Sequence, residues 1–344
     1  MNRNKIVRAL LIASVLSIAA LMGHSGNASA ETKLRVGMPV MPPNIVHMPV
    51  FAAKDLGYFK DEGLDVEILG FEGGVKAFRA VVSGDVDIAS GSGPFSLVGR
   101  SKGADTKIFL APMPKLEAEM VAQGDIKTLA DLKGRKIGIQ QPGGFAWVLS
   151  MTVLRSAGLK ADDVKFVSIL TEDVPPLVAG QIDTAILHVE QEMIAKSKKP
   201  SLHPVAKLWE VTPKQLYAAF VAKESKLASD HAAMLGFTKA VIRATRDLYA
   251  HQDKMVPIIM KETGLDEATT RKAYKVLVDS CIWDANDGLS PERVNYTAAH
   301  MEKVGNIDKG KAPSYADAVD LSLAHAALKE LGPWAGPMCK TPTN

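Results

Sequence analysis

Short apolar runs alternate with segments of helical period from residue 34 to about residue 221. Runs such as Leu34–Met38 and Thr184–His188 have the length and apolar content of strands, whereas Val75–Val82 repeats its apolar residues at helical spacing and is followed by Gly84. This alternation predicts an α/β fold with a mainly parallel sheet. The predicted strands are Leu34–Met38, Asp65–Leu69, Val86–Ser90, Lys107–Ala111, Met120–Gln123, Lys136–Gln140, Phe166–Leu170, Thr184–His188, Val205–Leu208 and Tyr217–Val221.

The helical pattern indicates two βα series followed by a helical C-terminal part. In these two βα series we expect helices over Val50–Phe59, Val75–Val82 and Phe145–Ala157. From Leu227 onward the chain is helical in character, and both Ser290-Pro291 and Ser314 with Asp317 are typical of helix starts. We expect this part to pack on the first series, because isolated helices could not bury their apolar stripes.

The first 30 residues have the three-part pattern of a cleaved secretory signal. A basic stretch, Met1–Arg8, precedes an apolar run, Ala9–Met22, and the small residues of Ala28–Ala30 precede Glu31. The apolar run is short for a membrane span. We therefore expect an exported chain that begins near Glu31.

Composition and charge exclude some classes of protein. The 344 residues are 47% hydrophobic and 23% charged, which is typical of a globular protein with sizeable cores. The formal net charge of +3 comes from Arg3, Lys5 and Arg8, so the chain from Glu31 onward is neutral. A neutral chain without a basic run gives no reason to expect nucleic-acid binding.

Two cysteines, Cys281 and Cys339, leave two alternatives open. In an oxidising compartment they could form one disulfide that closes the C-terminal segment. They could equally be two separate buried thiols. Their spacing does not indicate a metal site.

No enzyme motif supports a catalytic function. The sequence contains no G-x-S-x-G, H-E-x-x-H or Walker loop, and Gly91–Gly93 provides only G-x-G without the third glycine of a dinucleotide fingerprint. The histidines after residue 30 show no metal-binding spacing. We therefore expect a protein that is not an enzyme and that holds no cofactor or metal.

Five loops at the predicted carboxyl ends of strands indicate a binding site. In open α/β sheets ligands bind at these ends, and glycines at helix N-termini let backbone N–H groups approach a ligand. Each loop taken alone is also compatible with ordinary turn chemistry. The loops are Met41–His47, Phe71–Gly74, Ser90–Gly93, Gln141–Phe145 and His188–Gln191.

Candidate ligand contacts follow from these loops. His188 and Glu190 are two residues apart and would face the same way if the strand continued through them. His47 is a ligand contact or a helix-start residue, and Phe145 either stacks on a ligand ring or packs in the core. The full candidate set is Met41, Pro43, Asn44, His47, Gly73, Gly74, Ser90, Gly91, Ser92, Met113, Gly143, Gly144, Phe145, His188 and Glu190.

Four segments resemble a known family, the nitrate/sulfonate/taurine class of ABC-importer solute-binding proteins. This class includes the NMT1/THI5-like proteins that bind pyrimidine precursors of thiamine. The segments are Phe51–Val66, Val82–Ala89, Leu129–Ile139 and Val178–Ala185. Together they are specific for the family, and they define its scaffold but not its ligand.

The resemblance implies a periplasmic-binding-protein type II fold, in which two α/β lobes close on a ligand about a hinge. Lobe one would comprise residues 31–114 plus 224–344, and lobe two residues 115–223. The resemblance also implies a periplasmic monomer that captures a small-molecule ligand and docks on an inner-membrane ABC permease.

The class of ligand stays open at this stage. The five loops contain no Arg or Lys, whereas Glu72, Glu190 and His47 are present, which disfavours nitrate and simple sulfonates. An organic molecule with a ring or amine donors, such as a pyrimidine precursor, is favoured, and a carboxylate or sulfonate bound through backbone N–H groups is an alternative. Two further alternatives are a sensory binder and a pyrimidine-synthesising enzyme of the same fold. The eukaryotic enzymes carry a cysteine-rich motif that this chain lacks.

Overall fold

The computed structural model describes residues 31–169, 174–334 and 336. The predicted signal segment, the end of the predicted strand Phe166–Leu170 and Cys339 lie outside these residues. Cys281 is not a free thiol, and its predicted pairing with Cys339 stays a prediction.

Ten strands form in the described residues, at or close to the predicted positions. They are β1 (Thr32–Met38), β2 (Leu64–Gly70), β3 (Ile88–Ala89), β4 (Thr106–Met113), β5 (Ala118–Ala122), β6 (Lys136–Ile139), β7 (Lys165–Ser168), β8 (Thr184–His188), β9 (His203–Lys207) and β10 (Ala218–Lys223).

Helices follow most of the strands and make up nearly all of the C-terminal part. They are α1 (Met48–Asp55), α2 (Tyr58–Asp61), α3 (Gly74–Ser83), α4 (Gly93–Ser101), α5 (Phe145–Ser156), α6 (Val174–Val178), α7 (Val189–Lys198), α8 (Leu208–Val211), α9 (Glu224–Ser229), α10 (His231–Ala250), α11 (Gln252–Thr263), α12 (Glu267–Asp279), α13 (Pro291–Lys303), α14 (Tyr315–Ala318) and α15 (Ser322–Leu331). Short 3₁₀ turns occur at Ile45–His47, Leu129–Leu132 and Ala161–Asp163.

The strands form two five-stranded sheets with the same topology. The first sheet has the order β2-β1-β3-β10-β4 and the second the order β7-β6-β8-β5-β9. In each sheet one strand, β10 or β5, runs antiparallel to both of its neighbours. The remaining strands are parallel, so the predicted α/β class with mainly parallel sheets is confirmed.

Equivalent aspartates fix the same corner of both sheets. The Asp87 carboxylate accepts a hydrogen bond from the backbone N–H of Arg35 at 2.8 Å, at the edge between β1 and β3. The Asp183 carboxylate accepts one from the backbone N–H of Lys136, also at 2.8 Å, between β6 and β8. These aspartates belong to the Val82–Ala89 and Val178–Ala185 segments, so the family pattern has a structural role here.

The chain passes from the first sheet to the second after β4 and returns before β10. The predicted division into lobes at residues 114/115 and 223/224 stays a prediction. However, Ala218–Lys223, which that division places in lobe two, pairs with β3 and β4. The second change of sheet therefore occurs before residue 218, because this strand fills the antiparallel position of the first sheet.

The C-terminal helices pack on the first sheet, as the sequence predicts. Phe237 of α10 stacks on Phe59, with ring centroids 5.4 Å apart, and packs edge-on against Phe220 of β10 at 5.2 Å. Helix α13 also reaches the second sheet's layer, where His300 Nε2 lies 2.7 Å from Thr152 Oγ1 of α5. The C-terminal helices therefore contact helices from the first series and from the second series.

The predicted helix Val50–Phe59 is wrong in one respect: it is interrupted at Gly57. This residue has φ +76°, a left-handed conformation that ends α1 and precedes α2. The predicted strand Val86–Ser90 is also shorter than expected, since only Ile88 and Ala89 form ladder pairs with β1.

Candidate functional site

Loops at the carboxyl ends of β1 and β8 meet between the two sheets. Asn44, in the loop after β1, donates a hydrogen bond from Nδ2 to Glu190 Oε1 at 2.9 Å. The backbone N–H of Ile45 approaches the same oxygen at 3.4 Å. Glu190 lies in the first turn of α7, directly after β8, so these contacts join loops of different sheets.

Four rings lie next to these contacts. Phe145 stacks on His188 with centroids 5.9 Å apart and packs against Tyr217 at 5.3 Å. Tyr217 also contacts His47, whose Nε2 lies 3.4 Å from the tyrosine Oη. The predicted loops of the two series therefore converge, and flat aromatic surfaces surround their meeting point.

The strand does not continue past His188, so the condition under which His188 and Glu190 would share a face is not met. Strand β8 ends at His188, and helix α7 begins at Val189. His188 Nδ1 instead pairs with Glu117, which also accepts a hydrogen bond from the backbone N–H of Val189 at 3.2 Å. Both predicted residues still lie at the convergence of the loops, but they have different partners.

Buried polar atoms without a protein partner mark this region. The side chains of His47, Ser90 and Glu190 are at most 3% exposed. Nevertheless His47 Nδ1, Ser90 Oγ, Glu190 Oε2 and Gln215 Oε1 have no hydrogen-bond partner among the described residues. A buried polar group without a hydrogen-bond partner destabilises the folded state by about 1–3 kcal/mol. These four atoms belong to the loops after β1, β3 and β8 and to the segment before β10, and each can form a further hydrogen bond.

Burial dominates the electrostatics of the site. It raises the pKa of Glu190, and the nearby Glu117 raises it further. Burial and the neighbouring His188 lower the pKa of His47 to about 3, so His47 is neutral at ordinary pH. Burial also raises the pKa of Tyr217, which keeps its hydroxyl protonated. With His47 and Tyr217 neutral, Glu117 and Glu190 are the groups of this cluster that can carry negative charge.

Four predicted contact residues lie outside the ring cluster or have other partners. The Ser92 hydroxyl lies 3.1 Å from the carbonyl oxygens of both Gly74 and Ser90, so it holds two loops together. Met113 is fully buried in the core at the end of β4. Met41 is 47% exposed and lies against Gly70, outside the ring cluster. Pro43 is buried in the loop that carries Asn44.

The predicted loop glycines allow close packing of the loops. A Cβ on Gly74 would come within 2.5 Å of the Gly91 carbonyl oxygen, and one on Gly91 within 2.6 Å of Pro39. Gly73 has φ +94° and donates its N–H to the Pro39 carbonyl at 2.8 Å. In the other series, Gly144 is the N-cap of α5, and the Gly143 carbonyl accepts a hydrogen bond from Asn306 at 3.2 Å.

Sequence reasoning missed three polar residues: Glu117, Gln215 and Tyr217. They lie on the two segments by which the chain passes between the sheets, and these segments have no motif. A depression beside the ring cluster is lined mainly by apolar residues from both sheets' layers and from α13. Its lining comprises Gly91, Pro94, Phe95, Leu116, Phe145, Val148, Leu149, Gln215, Leu216, Tyr217 and Met301.

Neither a metal centre nor a membrane span was found in residues 31–169 and 174–334. No group of three or more His, Cys, Asp or Glu side chains there is arranged to hold a metal ion. No helix in that part of the chain combines the length and apolarity needed to cross a bilayer.

Solved structures show that the fold is that of the periplasmic binding proteins. A protein of Bordetella bronchiseptica RB50 is 25% identical, with a TM-score of 0.71 and coverage of 88% of this chain and 98% of its own. The ligand-binding component of an ABC-type import system from Staphylococcus aureus has a TM-score of 0.71 at 14% identity, covering 86% and 99%. The periplasmic aliphatic sulphonate-binding protein SsuA of Escherichia coli has a TM-score of 0.65 at 17% identity, covering 84% and 92%. The predicted fold class is thus confirmed.

The chain belongs to the NMT1/THI5-like family, whose sequence model matches residues 44–255. This match confirms the predicted resemblance. YtlA of Bacillus subtilis, assigned as a binding protein, is 26% identical over 258 residues, covering 73% of this chain and 77% of YtlA. A Haemophilus influenzae protein assigned to thiamine biosynthesis is 26% identical over 275 residues, covering 77% and 85%.

One relative has the name of an enzyme. It is the 4-amino-5-hydroxymethyl-2-methylpyrimidine phosphate synthase THI13 of Saccharomyces cerevisiae, which is 26% identical over 168 residues. The match covers 46% of this chain and 49% of the synthase. The family therefore contains members named for binding and a member named for synthesis.

Proposed function

We propose that this protein is the solute-binding component of an ABC importer, and that it captures a small ring-containing solute with hydrogen-bond donors. The observation that carries this proposal is the group of buried polar atoms without partners between the two sheets: Glu190 Oε2, Gln215 Oε1, His47 Nδ1 and Ser90 Oγ. A solute placed among them would supply the missing hydrogen bonds.

The types of atom favour a donor-bearing solute over an anion. Glu190 Oε2 and Gln215 Oε1 are acceptors, and both need a donor from the solute. The neutral imidazole of His47 and the Ser90 hydroxyl can donate or accept. An incoming anion would instead meet the carboxylates of Glu117 and Glu190 at close range, which is unfavourable in a buried site.

The surrounding rings favour a flat solute. Phe145, His188 and Tyr217 offer aromatic surfaces, and offset or edge-on ring pairs contribute about 0.5–1.5 kcal/mol beyond area burial. An amino-substituted nitrogen heterocycle satisfies both the rings and the acceptors. This agrees with the relative assigned to thiamine biosynthesis.

Binding without chemistry is the function that these groups support best. The His188–Glu117 pair is a histidine and a carboxylate in contact, and Glu117 also accepts a hydrogen bond from the backbone N–H of Val189 at the start of α7, which is a positioning role. The proposal includes export to the periplasm, a monomeric state and delivery to an inner-membrane permease, as in the import-system component of similar fold.

A thermal-shift screen tests the solute class. The probes are 4-aminopyrimidine and benzamidine as donor-bearing rings, with 2-aminoethanesulfonate, benzoate and nitrate as anionic alternatives. A ligand present at 100 times its Kd stabilises the folded state by about 2.7 kcal/mol, so a binder raises Tm. We expect a rise with the donor-bearing rings and none with nitrate, and mass spectrometry should recover the bound probe unchanged.

Two variants then test the site by calorimetry on whichever donor-bearing ring gives a shift. Glu190→Gln should weaken binding at least tenfold, since it replaces an acceptor by a donor. Glu192→Gln changes an acid on the same helix that pairs with Lys196, and it should leave the Kd unchanged. Shifts produced by the anions alone, or steady consumption of a probe, would contradict the proposal.

A further inference from the structure

We propose that Glu190 is a solute-sensing latch, whose two carboxylate oxygens couple closure of the site to occupation by a donor-bearing solute. One oxygen accepts the hydrogen bond that joins the loops of the two sheets, and the other needs a hydrogen-bond donor from the solute. This inference rests on the proposed binding function and adds a residue that decides when the site closes.

The first oxygen makes the contact between the two sides. Glu190 Oε1 accepts from Asn44 Nδ2 at 2.9 Å and faces the backbone N–H of Ile45 at 3.4 Å. Asn44 and Ile45 follow strand β1 of the first sheet, whereas Glu190 follows strand β8 of the second. These contacts exist only while the two sides are together.

The second oxygen has no partner on either side. Glu190 Oε2 is buried without a hydrogen bond among the described residues, in a side chain that is 3% exposed. In an open cleft, water would solvate this oxygen. Closure without a solute therefore removes water from a carboxylate oxygen and supplies no replacement, which is unfavourable.

The neighbouring charges do not compensate for this burial. The titratable groups that act on Glu190 are Glu117 on the first crossing segment, Tyr217 on the second and His188 at the end of β8. Glu117 repels a second negative charge, and His188, which favours it, is already paired with Glu117. No Lys or Arg side chain hydrogen-bonds to Glu190 in the part of the chain that the structure describes.

These contacts have a pH consequence of definite sign. Burial raises the pKa of Glu190 in the closed state. A group with a higher pKa in one state favours that state when it is protonated. Closure of the solute-free protein should therefore increase as the pH falls through the closed-state pKa of Glu190, and decrease as the pH rises. Each unit by which closure raises this pKa makes the closed-to-open ratio about tenfold larger at low pH.

Pulsed EPR on the solute-free protein tests the latch. Spin labels would be placed through Arg79→Cys on α3 and Lys198→Cys on α7, both at exposed positions, with the unsubstituted chain as the labelling background. We expect the short-distance population to rise several-fold between about pH 8 and about pH 5, a range above the ordinary glutamate pKa of about 4.3. Glu190→Gln should show a high closed fraction that no longer changes with pH.

Glu119→Gln is the matched control. Glu119 is another buried acid of the second sheet, and burial and Glu192 raise its pKa to about 7. The charged groups that act on it all lie between β4 and β10: Glu117, Glu192, Lys196 and Lys207. This variant should keep the pH-dependent closure of the parent. If Glu190→Gln does not fold, Asn44→Ala replaces it: removal of the interloop donor should lower the closed fraction severalfold at every pH while a pH response remains.

All of these EPR measurements are made on the solute-free protein. A Glu190→Gln variant that closes with the same pH response as the parent would overturn the latch, as would loss of the response in Glu119→Gln. Failure of the solute screen would not alter these distances, and failure of the latch would leave the solute screen unaffected. The two proposals can therefore fail separately.

Discussion

His300 is a partly buried histidine whose protonation opposes folding. Its Nε2 lies 2.7 Å from Thr152 Oγ1, and its ring stacks on Tyr296. Burial, with the nearby Arg155 and Lys303, lowers its pKa to about 4. The unfolded chain therefore takes up the proton first as the pH falls below about 6.5, and stability present above that pH is lost on the way to pH 4.

We predict that His300→Gln makes the stability of the protein less sensitive to acid. Between pH 6.5 and pH 4, the parent should lose about 2 kcal/mol more unfolding free energy than the variant, after allowance for partial exposure of the ring. Urea denaturation at a series of pH values measures this difference. Equal slopes for the parent and His300→Gln would contradict the prediction.

At the level of single residues, the sequence predicts the loop contributions to the site better than the others. Asn44, His47, Phe145 and Glu190 lie in loops whose position after a strand is visible in the sequence, and they do converge. Glu117, Gln215 and Tyr217 could not be predicted this way, because their place depends on how the chain passes between two sheets. That arrangement is set by tertiary packing and not by local pattern.

Gly57 determines where helix α1 ends. Its φ of +76° is costly for residues with a Cβ, but no atom lies within 4 Å of the position that a Cβ would occupy. We predict that Gly57→Ala lowers the unfolding free energy by about 1 kcal/mol through the backbone alone. Urea unfolding should show a lower midpoint with an unchanged m-value.

Gly57→Asn provides the comparison, since asparagine tolerates the left-handed region better than alanine. It should lose less stability than Gly57→Ala. An alanine variant as stable as the parent would mean that α1 and α2 can join into one helix without strain.

At the level of elements, periodicity located the strands and the three helices that it singled out, but not all of their lengths and not the individual helices of most of the C-terminal part. Thr184–His188 forms over its predicted bounds, and the predicted helix starts at Ser290 and Ser314 are confirmed, since both hydroxyls accept hydrogen bonds from backbone N–H groups. Strand β3 is short although Val86–Ser90 has strand character, because the chain turns into the Ser90–Gly93 loop.

Helix α13 braces both segments that connect the two sheets. Arg293 Nη1 lies 3.3 Å from the Pro114 carbonyl oxygen on the first segment, and 3.3 Å and 3.0 Å from those of Pro213 and Gln215 on the second. Thr297, one turn later, accepts a hydrogen bond from the Leu216 N–H at 2.7 Å. One helix therefore fixes the backbone next to Gln215 and Tyr217 in the site.

We predict that Arg293→Met destabilises the whole molecule by about 2 kcal/mol, because a charged donor to three backbone carbonyls is lost. Arg293→Lys should recover part of this loss, since it keeps the charge but not the planar fork. Thermal and urea unfolding measure both. Glu292→Gln removes only an exposed ion pair with Lys214 and should change Tm little. A loss of stability in Glu292→Gln similar to that in Arg293→Met would contradict the bracing role of Arg293.

At the scale of the whole molecule, the two α/β series and the packing of the helical part were predictable, but the sheet membership of β10 was not. Its sequence, Ala218–Lys223, reads as one more strand at the end of the second series. Its antiparallel position between β3 and β4 is selected by partners that are more than a hundred residues earlier in the chain.

The matched aspartates, Asp87 and Asp183, stabilise the part of each sheet that lies away from the candidate site. Both hold the strand ends that point away from the site, by the same contact to the strand next to the edge of each sheet, β1 or β6. Loops at the opposite ends can be exchanged without touching these anchors. Transplanting the Met41–His47 and His188–Gln191 segments between relatives is therefore a route to redesigned receptors that retain the parent's folding.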